Sequence, residues 1–185
     1  MQLKNILFVS ALALGASAAP TSSNATDIAP SVQNRFAQID LGYQQTYLLL
    51  NHLADNTNKT TADDVVAAYN ATATAESKDV GKNQPTKPLS ESTQLVLCQS
   101  FHSLALTGIQ LNNAFVDYAS HFNKKQRNDL QTALSKVNDE TGSFFINVAK
   151  KALPYCIDNL QTDDKAIYKS LIAAATALDP SEALL

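Results

Sequence analysis

The apolar residues of this chain recur at steps of four and three over long stretches, and this spacing constrains the fold more than any other feature. One run consists of Leu97, Phe101, Leu104, Gly108, Leu111, Phe115, Tyr118 and Phe122. A second run consists of Leu130, Leu134, Val137, Thr141, Phe144 and Val148. Such steps place side chains on one face of an α-helix. No stretch alternates convincingly with period two, so we predict an all-α protein.

We predict about five amphipathic helices with short connections, packed as an up-and-down bundle. Hydroxyl side chains cap helices and proline breaks them, so these residues mark the helix ends. The first helix is predicted to run from Ser31 to about Asn56, and the second and third to start at Thr61 and Ser90. The fourth is predicted to end at Pro154, and the fifth to run from Thr162 to Pro180. One helical-bundle domain is therefore expected over residues 30–180.

The first 18 residues have the pattern of a secretory signal peptide, which we expect to be cleaved after Ala18. Lys4 is followed by an apolar run from Ile6 to Leu14 and then by small residues. The run is shorter than the roughly 20 residues that a membrane span needs, so we do not expect a transmembrane protein. Residues 19–29 are small and polar and are predicted to form a flexible tail. The expected location is therefore extracellular or in the cell wall.

The cysteines and the glycosylation motifs fit this secretory route. Cys98 and Cys156 are the two cysteines of the chain, and an oxidising compartment favours a disulfide over two free thiols. If the third and fourth helices form an antiparallel hairpin, the break at Pro154 can return Cys156 towards Cys98. Three Asn-x-Ser/Thr motifs are candidate glycosylation sites, at Asn24, Asn58 and Asn70. Asn70 falls inside a predicted helix, so the sequence leaves open whether Asn70 is glycosylated.

No pattern in the sequence is typical of an enzyme, a metal site or a cofactor site. His52, His102 and His121 have no partner at i+3 or i+4 for a helical metal site. Adjacent carboxylates such as Asp163 and Asp164 diverge on a helix, which favours a solvated face or a role at the positive helix end over a catalytic pair. The net charge of −3 argues against a nucleic-acid partner. We expect a non-enzymatic protein without cofactor or metal.

Large apolar residues exceed what one narrow stripe on each helix can bury. Phe144 and Phe145 are adjacent, and Gly108 leaves space on its own stripe. The surplus indicates either a layered core, with glycine allowing close helix contact, or a cavity or groove for an apolar ligand. Candidate lipid-contacting residues are Phe36, Leu50, Phe101, Leu104, Gly108, Leu111, Phe115, Phe144 and Val148.

Five short segments carry a likeness to a known family. They are Ile39-Asp40, Pro88 to Glu91, Asn123 to Lys125, Leu130 to Leu134, and Thr141 to Phe144. Together with the signal peptide and the pair of long helices, they resemble the fungal hydrophobic surface-binding protein A family, also described as cell-wall galactomannoproteins. The resemblance implies a secreted helical wall protein that adsorbs to hydrophobic surfaces or holds fatty acids between helices. It supplies no catalytic residue.

We therefore predict a secreted, non-enzymatic protein that binds hydrophobic surfaces or fatty-acid-like lipids through an apolar groove or cavity. Two alternatives stay open at this stage. One is a helical protein-interaction module, such as an inhibitor of a secreted hydrolase or an effector. The other is a purely structural wall glycoprotein, with cell-wall polysaccharide as a possible partner.

Overall fold

The structure is a computed structural model that describes residues 29–76 and 87–179. The predicted signal peptide, the tail up to residue 28 and the sequon at Asn24 lie outside the described residues. The described part contains five long helices and no strand, which confirms the all-α prediction. The helices are α1 (Ala29–Ala54), α2 (Ala62–Glu76), α3 (Glu91–Asp117), α4 (Lys124–Phe144) and α5 (Ile157–Leu178). None of these described helices is both long enough and apolar enough to cross a membrane.

The helices pack as a closed ring in the order α1, α3, α5, α4, α2 and back to α1. Phe36 meets Phe101 and Tyr43 meets Gly108, so α1 and α3 run in the same direction. Arg35 donates to the Ala75 carbonyl, near the far end of α2, so α1 and α2 run in opposite directions. The helix direction thus alternates along the sequence, whereas α1 and α3, which are neighbours in the ring, run parallel. The ring surrounds a central space that side chains fill.

The hairpin expected between the third and fourth helices does not form as a packed pair. In the described residues, α3 packs its backbone against α1 and α5, whereas α4 packs against α2 and α5. Across the ring, α3 and α4 meet through long aromatic side chains, with the rings of Phe101 and Phe144 stacked 5.6 Å apart. A short 3-10 turn at Ala119–His121 connects the two helices and lets them diverge to opposite sides of the ring.

Side-chain caps define several helix starts as the sequence indicates. The Ser90 hydroxyl accepts a hydrogen bond from the Thr93 backbone amide at the start of α3. At the start of α2, the Thr61 hydroxyl accepts a hydrogen bond from the Asp64 amide. The Thr61 hydroxyl and backbone amide both donate to the Asp64 carboxylate, and these two bonds, above all the hydroxyl's, lower the pKa of Asp64. Asn123 forms a capping box with Gln126 at the start of α4. Each cap satisfies amide groups that the helix itself leaves unpaired.

The start of the fifth helix was predicted wrongly. It begins at Ile157, and the hydroxyl of Thr162 donates to the Asp158 carbonyl one turn earlier, as a residue inside a helix does. Leu160 is fully buried, so the apolar face of α5 already starts before Thr162. Asp163 therefore lies in the second turn, where it cannot complement the positive helix end as proposed from the sequence.

Two adjacent phenylalanines are both buried where α4 passes into a π-helical turn. Phe144 ends the regular part of α4, and the chain continues through a π turn at Phe145–Ala149 and a last α turn at Lys150–Ala152. The extra residue in a π turn rotates the following side chains relative to the helix before it. Phe144 and Phe145 themselves, which come before this rotation, are only 2% and 6% exposed. The apolar surplus at this point is part of the core.

The predicted disulfide joins Cys98 of α3 to Cys156, in the 3-10 turn that precedes α5, across 58 residues of sequence. The Cα atoms are 6.6 Å apart. Gln94 reinforces the same junction from a buried position. Its side-chain amide donates to the Leu89 carbonyl at 2.7 Å, and its side-chain oxygen accepts from the Tyr155 amide at 2.8 Å. The break at Pro154 thus returns the chain to the start of α3.

Gly42 is needed where α1 and α2 approach closely, so we expect Gly42→Ala to lower the free energy of unfolding by about 1–3 kcal/mol. An added Cβ would overlap the Thr72 side chain, coming within 2.8 Å of its Cγ2. Thr72 is buried, and its hydroxyl donates to the Ala68 carbonyl, so it cannot move away freely. Urea unfolding monitored by circular dichroism measures the loss.

Gly142→Ala is the matched control, because nothing in the described structure lies within 4 Å of its added Cβ. Alanine there should raise stability by up to about 1 kcal/mol, since glycine is the weaker helix former. Adding Thr72→Ala to Gly42→Ala should recover part of the loss. Equal effects of the two glycine variants would contradict close contact at Gly42.

Candidate functional site

A small cavity lies inside the ring of helices and is the candidate site. Its volume is about 30 Å³. Four helices line it, with Phe36, Ile39 and Tyr43 from α1, Phe101, Leu104, Gly108 and Asn112 from α3, Val137, Glu140, Thr141 and Phe144 from α4, and Ile167 from α5. This volume holds a few water molecules at most and is far below the roughly 300–1,000 Å³ of typical ligand pockets. The cavity as it stands is therefore too small for a typical small-molecule ligand.

Four phenylalanines form an aromatic cluster at the cavity. Phe101 contacts Phe36 at 5.6 Å between ring centroids and Phe145 at 5.5 Å, and Phe36 contacts Phe144 at 5.2 Å. Most of these pairs meet edge to face, a favourable geometry for aromatic rings. The rings come from α1, α3, the end of α4 and the first residue of the π turn. The cluster thus joins three separate elements through side chains alone.

A few polar groups accompany the apolar lining. Asn112 is buried and donates from its amide to the Ser170 hydroxyl on α5 at 2.9 Å. Glu140 and Thr141 are half-buried, and the Thr141 hydroxyl donates to the Val137 carbonyl at 2.8 Å. The interior is therefore mostly aromatic and aliphatic, with Glu140 and Thr141 as partly solvated lining residues. This composition suits an apolar ligand.

Gly108 reaches the cavity but lies beneath a neighbouring side chain. An added Cβ at Gly108 would come within 3.1 Å of the Tyr43 ring, so the glycine allows α1 and α3 to approach closely. The structure therefore supports the close-packing interpretation of Gly108. At Gly142, nothing in the described structure lies within 4 Å of an added Cβ, so close helix contact does not explain this glycine.

The structure brings together five of the nine lipid-contacting residues proposed from the sequence. Those that line the cavity are Phe36, Phe101, Leu104, Gly108 and Phe144. Those that are buried elsewhere are Leu50, Leu111, Phe115 and Val148. One of these four packs towards α2, with the ring of Phe115 5.1 Å from that of Tyr69. A buried position on a helix stripe thus does not by itself identify a cavity residue.

Several lining residues were missed by the sequence analysis. Ile39, Tyr43, Val137 and Ile167 lie on apolar stripes, so periodicity signalled their burial but not their place at the cavity. The half-buried Glu140 had no sequence signal. The contribution of α5 is not among the predictions, because the candidate lipid-contacting residues come from the first, third and fourth helices alone.

The titratable groups lie mainly outside the cavity. His102 is exposed, and its Nδ1 is 2.9 Å from the nearer carboxylate oxygen of Asp163, which links α3 to α5. Partial burial raises the pKa of the neighbouring Asp164, with a smaller opposing effect of Lys165. Within the described ranges, no three His, Cys, Asp or Glu side chains form a group that could hold a metal ion.

The two described sequons lie in different surroundings. Asn58 is exposed in the loop between α1 and α2 and has a positive φ of 54°. Asn70 is half-buried within α2. An exposed loop is the more accessible setting for a glycan. Glycosylation at both sites stays a prediction.

Comparison with known proteins shows a similarity of fold. No protein-family model matches the chain, and no curated protein matches it in sequence. A crystal structure of AFMP4P in complex with palmitic acid is similar to this structure, with a TM-score of 0.63 and 14% sequence identity. The match covers 82% of this chain and 99% of that chain. It shows the shared helical fold and supports at most a distant relationship; it assigns no sequence family.

Proposed function

We propose that this chain is a secreted, non-enzymatic protein that binds fatty-acid-like ligands between its helices. The observation that carries the proposal is the aromatic-lined cavity enclosed by α1, α3, α4 and α5. Support for this ligand class comes from the similar fold of AFMP4P, which was crystallised with palmitic acid. Support for secretion comes from the signal-like residues 1–18 and the disulfide between Cys98 and Cys156.

Ligand binding requires the closed cavity to expand. An alkyl chain does not fit into about 30 Å³, so the aromatic rings must rotate and the surrounding helices must separate. The end of α4 is the best candidate for this movement, because Phe144 and Phe145 lie where α4 passes into a π turn, a feature that often marks functional sites in helices. Outward movement of these two rings would extend the cavity along the helices.

Thr141→Leu is expected to weaken palmitate binding by about tenfold or more, because the added carbons occupy the half-buried cavity lining. The measurement is calorimetric titration of delipidated protein with palmitate. Thr162→Leu is the control, because Thr162 also donates its hydroxyl to the carbonyl four residues earlier, but it lies outside the cavity lining. Circular dichroism establishes that both variants are folded.

Native mass spectrometry of the secreted protein gives an independent test, since a binder should carry co-purifying lipid. Absence of bound lipid together with absence of palmitate binding would contradict the proposal. Adsorption to a hydrophobic resin that Thr141→Leu leaves unchanged would instead indicate surface binding. Leu41 and Leu48, 55% and 54% exposed and two turns apart on α1, are the residues to replace in that case.

A further inference from the structure

The outer groove between α4 and α5 is a second concave region, separate in its lining from the central cavity. Its volume is about 490 Å³, within the usual range for a small-ligand site. Leu134, Leu171 and Ala175 are buried and form an apolar floor. Polar side chains line the same groove from both helices: Asn128, Gln131, Thr132, Ser135, Asn138 and Tyr168.

The polar side chains of this groove are all amides and hydroxyls. Although 17% of the residues in the chain are charged, no described residue that lines the groove is charged. An ionised ligand would find no opposite charge here and would lose its hydration without compensation. Amides and hydroxyls both donate and accept hydrogen bonds, which matches a ligand that carries many hydroxyl groups.

Part of the groove is already fixed by hydrogen bonds. The Gln131 side-chain amide donates to the Ala175 carbonyl at 3.2 Å and so joins the two helices across the groove. The Thr132 hydroxyl donates its proton to the Asn128 carbonyl at 2.9 Å, so the Thr132 oxygen remains free to accept a hydrogen bond from a ligand. Orientation of these groups before binding reduces the entropy that a ligand must overcome.

Tyr168 adds a flat aromatic surface to the groove and is 51% exposed. A tyrosine ring offers an apolar face together with a polar hydroxyl. A sugar ring has the complementary character, because its C–H bonds form apolar faces while its hydroxyl groups point outward. The combination of one exposed aromatic ring, neutral polar walls and an apolar floor thus favours a sugar over a purely apolar chain.

We propose that the groove between α4 and α5 binds a neutral oligosaccharide, with Tyr168 stacked on a sugar ring and the amides bonded to its hydroxyls. This site goes beyond the proposed lipid binding and does not depend on it. The two sites use different faces of α4, since Glu140, Thr141 and Phe144 line the cavity whereas Asn128 and Asn138 line the groove.

NMR titration of the isotope-labelled protein tests the proposal. The probes are neutral oligosaccharides of glucose, of mannose and of N-acetylglucosamine, with a uronic-acid oligosaccharide as the charged comparison. At least one neutral probe should shift the side-chain amide signals of Asn128 and Asn138, and the charged probe should not. Tyr168→Ala should weaken binding by about tenfold or more.

Tyr155→Ala is the matched control, because Tyr155 is 60% exposed and lies outside the groove lining. It should leave the affinity unchanged, and palmitate titration should give the same result for wild type and Tyr168→Ala. The proposal is overturned if no neutral probe shifts the groove signals at millimolar concentration. It is equally overturned if the charged probe binds as well, if palmitate shifts the groove signals instead, or if both tyrosine variants behave alike.

Discussion

Replacing Cys98 and Cys156 together by alanine should lower the free energy of unfolding by about 4 kcal/mol, which follows from the entropy of the 58-residue separation that the bond closes. The bond joins α3 to the turn that precedes α5, and along the sequence these two segments are otherwise connected only through α4 and its flanking turns. Without it, the unfolded chain gains freedom that folding must then remove. Alanine is preferred to serine as the replacement, because both cysteines are buried and a serine hydroxyl could be left there without a hydrogen-bond partner.

Urea unfolding of the oxidised wild type and of the double variant measures this difference. Reduced wild type should unfold close to the variant, and reductant should not affect the variant itself. If oxidised wild type, with the bond verified by mass spectrometry, unfolds at the same urea concentration as the variant, the disulfide does not stabilise the native fold.

Phe101→Ala should lower the free energy of unfolding by about 3–5 kcal/mol, the usual range for a large aromatic side chain removed from a core. Phe101 is buried, and its ring contacts Phe36, Phe144 and Phe145 within 5.6 Å. These partners belong to α1, to the end of α4 and to the π turn, so they cannot close the space by one common shift. The variant should therefore retain an enlarged cavity.

Leu106→Ala is the control on the same helix, because Leu106 is 56% exposed and its replacement should change stability by less than about 0.5 kcal/mol. Benzene should raise the melting temperature of Phe101→Ala but not that of the wild type, since an apolar cavity of sufficient size binds such molecules. A loss as small as that of Leu106→Ala would show that the aromatic cluster does not stabilise the core.

Helix positions and buried faces were largely predictable, because they depend on local spacing. The stripe through Leu97, Phe101 and Leu104 is buried as its periodicity indicates, and Ser90 caps α3 through a bond to a residue three positions later. The start of α5 was not predictable in the same way. Thr162 looks like a cap in sequence, but burial of Leu160 by the neighbouring helices extends α5 towards its N-terminus.

The candidate sites were less predictable than the helices. Periodicity identifies Phe115 and Phe101 equally as buried residues, but only Phe101 reaches the cavity, since Phe115 contacts Tyr69 of α2. The groove between α4 and α5 had no sequence signal, because amides and hydroxyls on a helix surface are ordinary solvated residues. They become a concave site only when a second helix lies beside them.

The amphipathic helices, the faces that they bury and the cysteines that can pair all follow from the amino-acid sequence, because these properties depend on neighbouring residues and on residue chemistry. The position of α3 between α1 and α5, facing α4 through aromatic rings across the central space, is visible only in the folded protein. Similar apolar stripes can pair in several orders at similar cost. The order is settled by details of fit, such as the close approach at Gly42, the π turn at Phe145–Ala149 and the disulfide at Cys156.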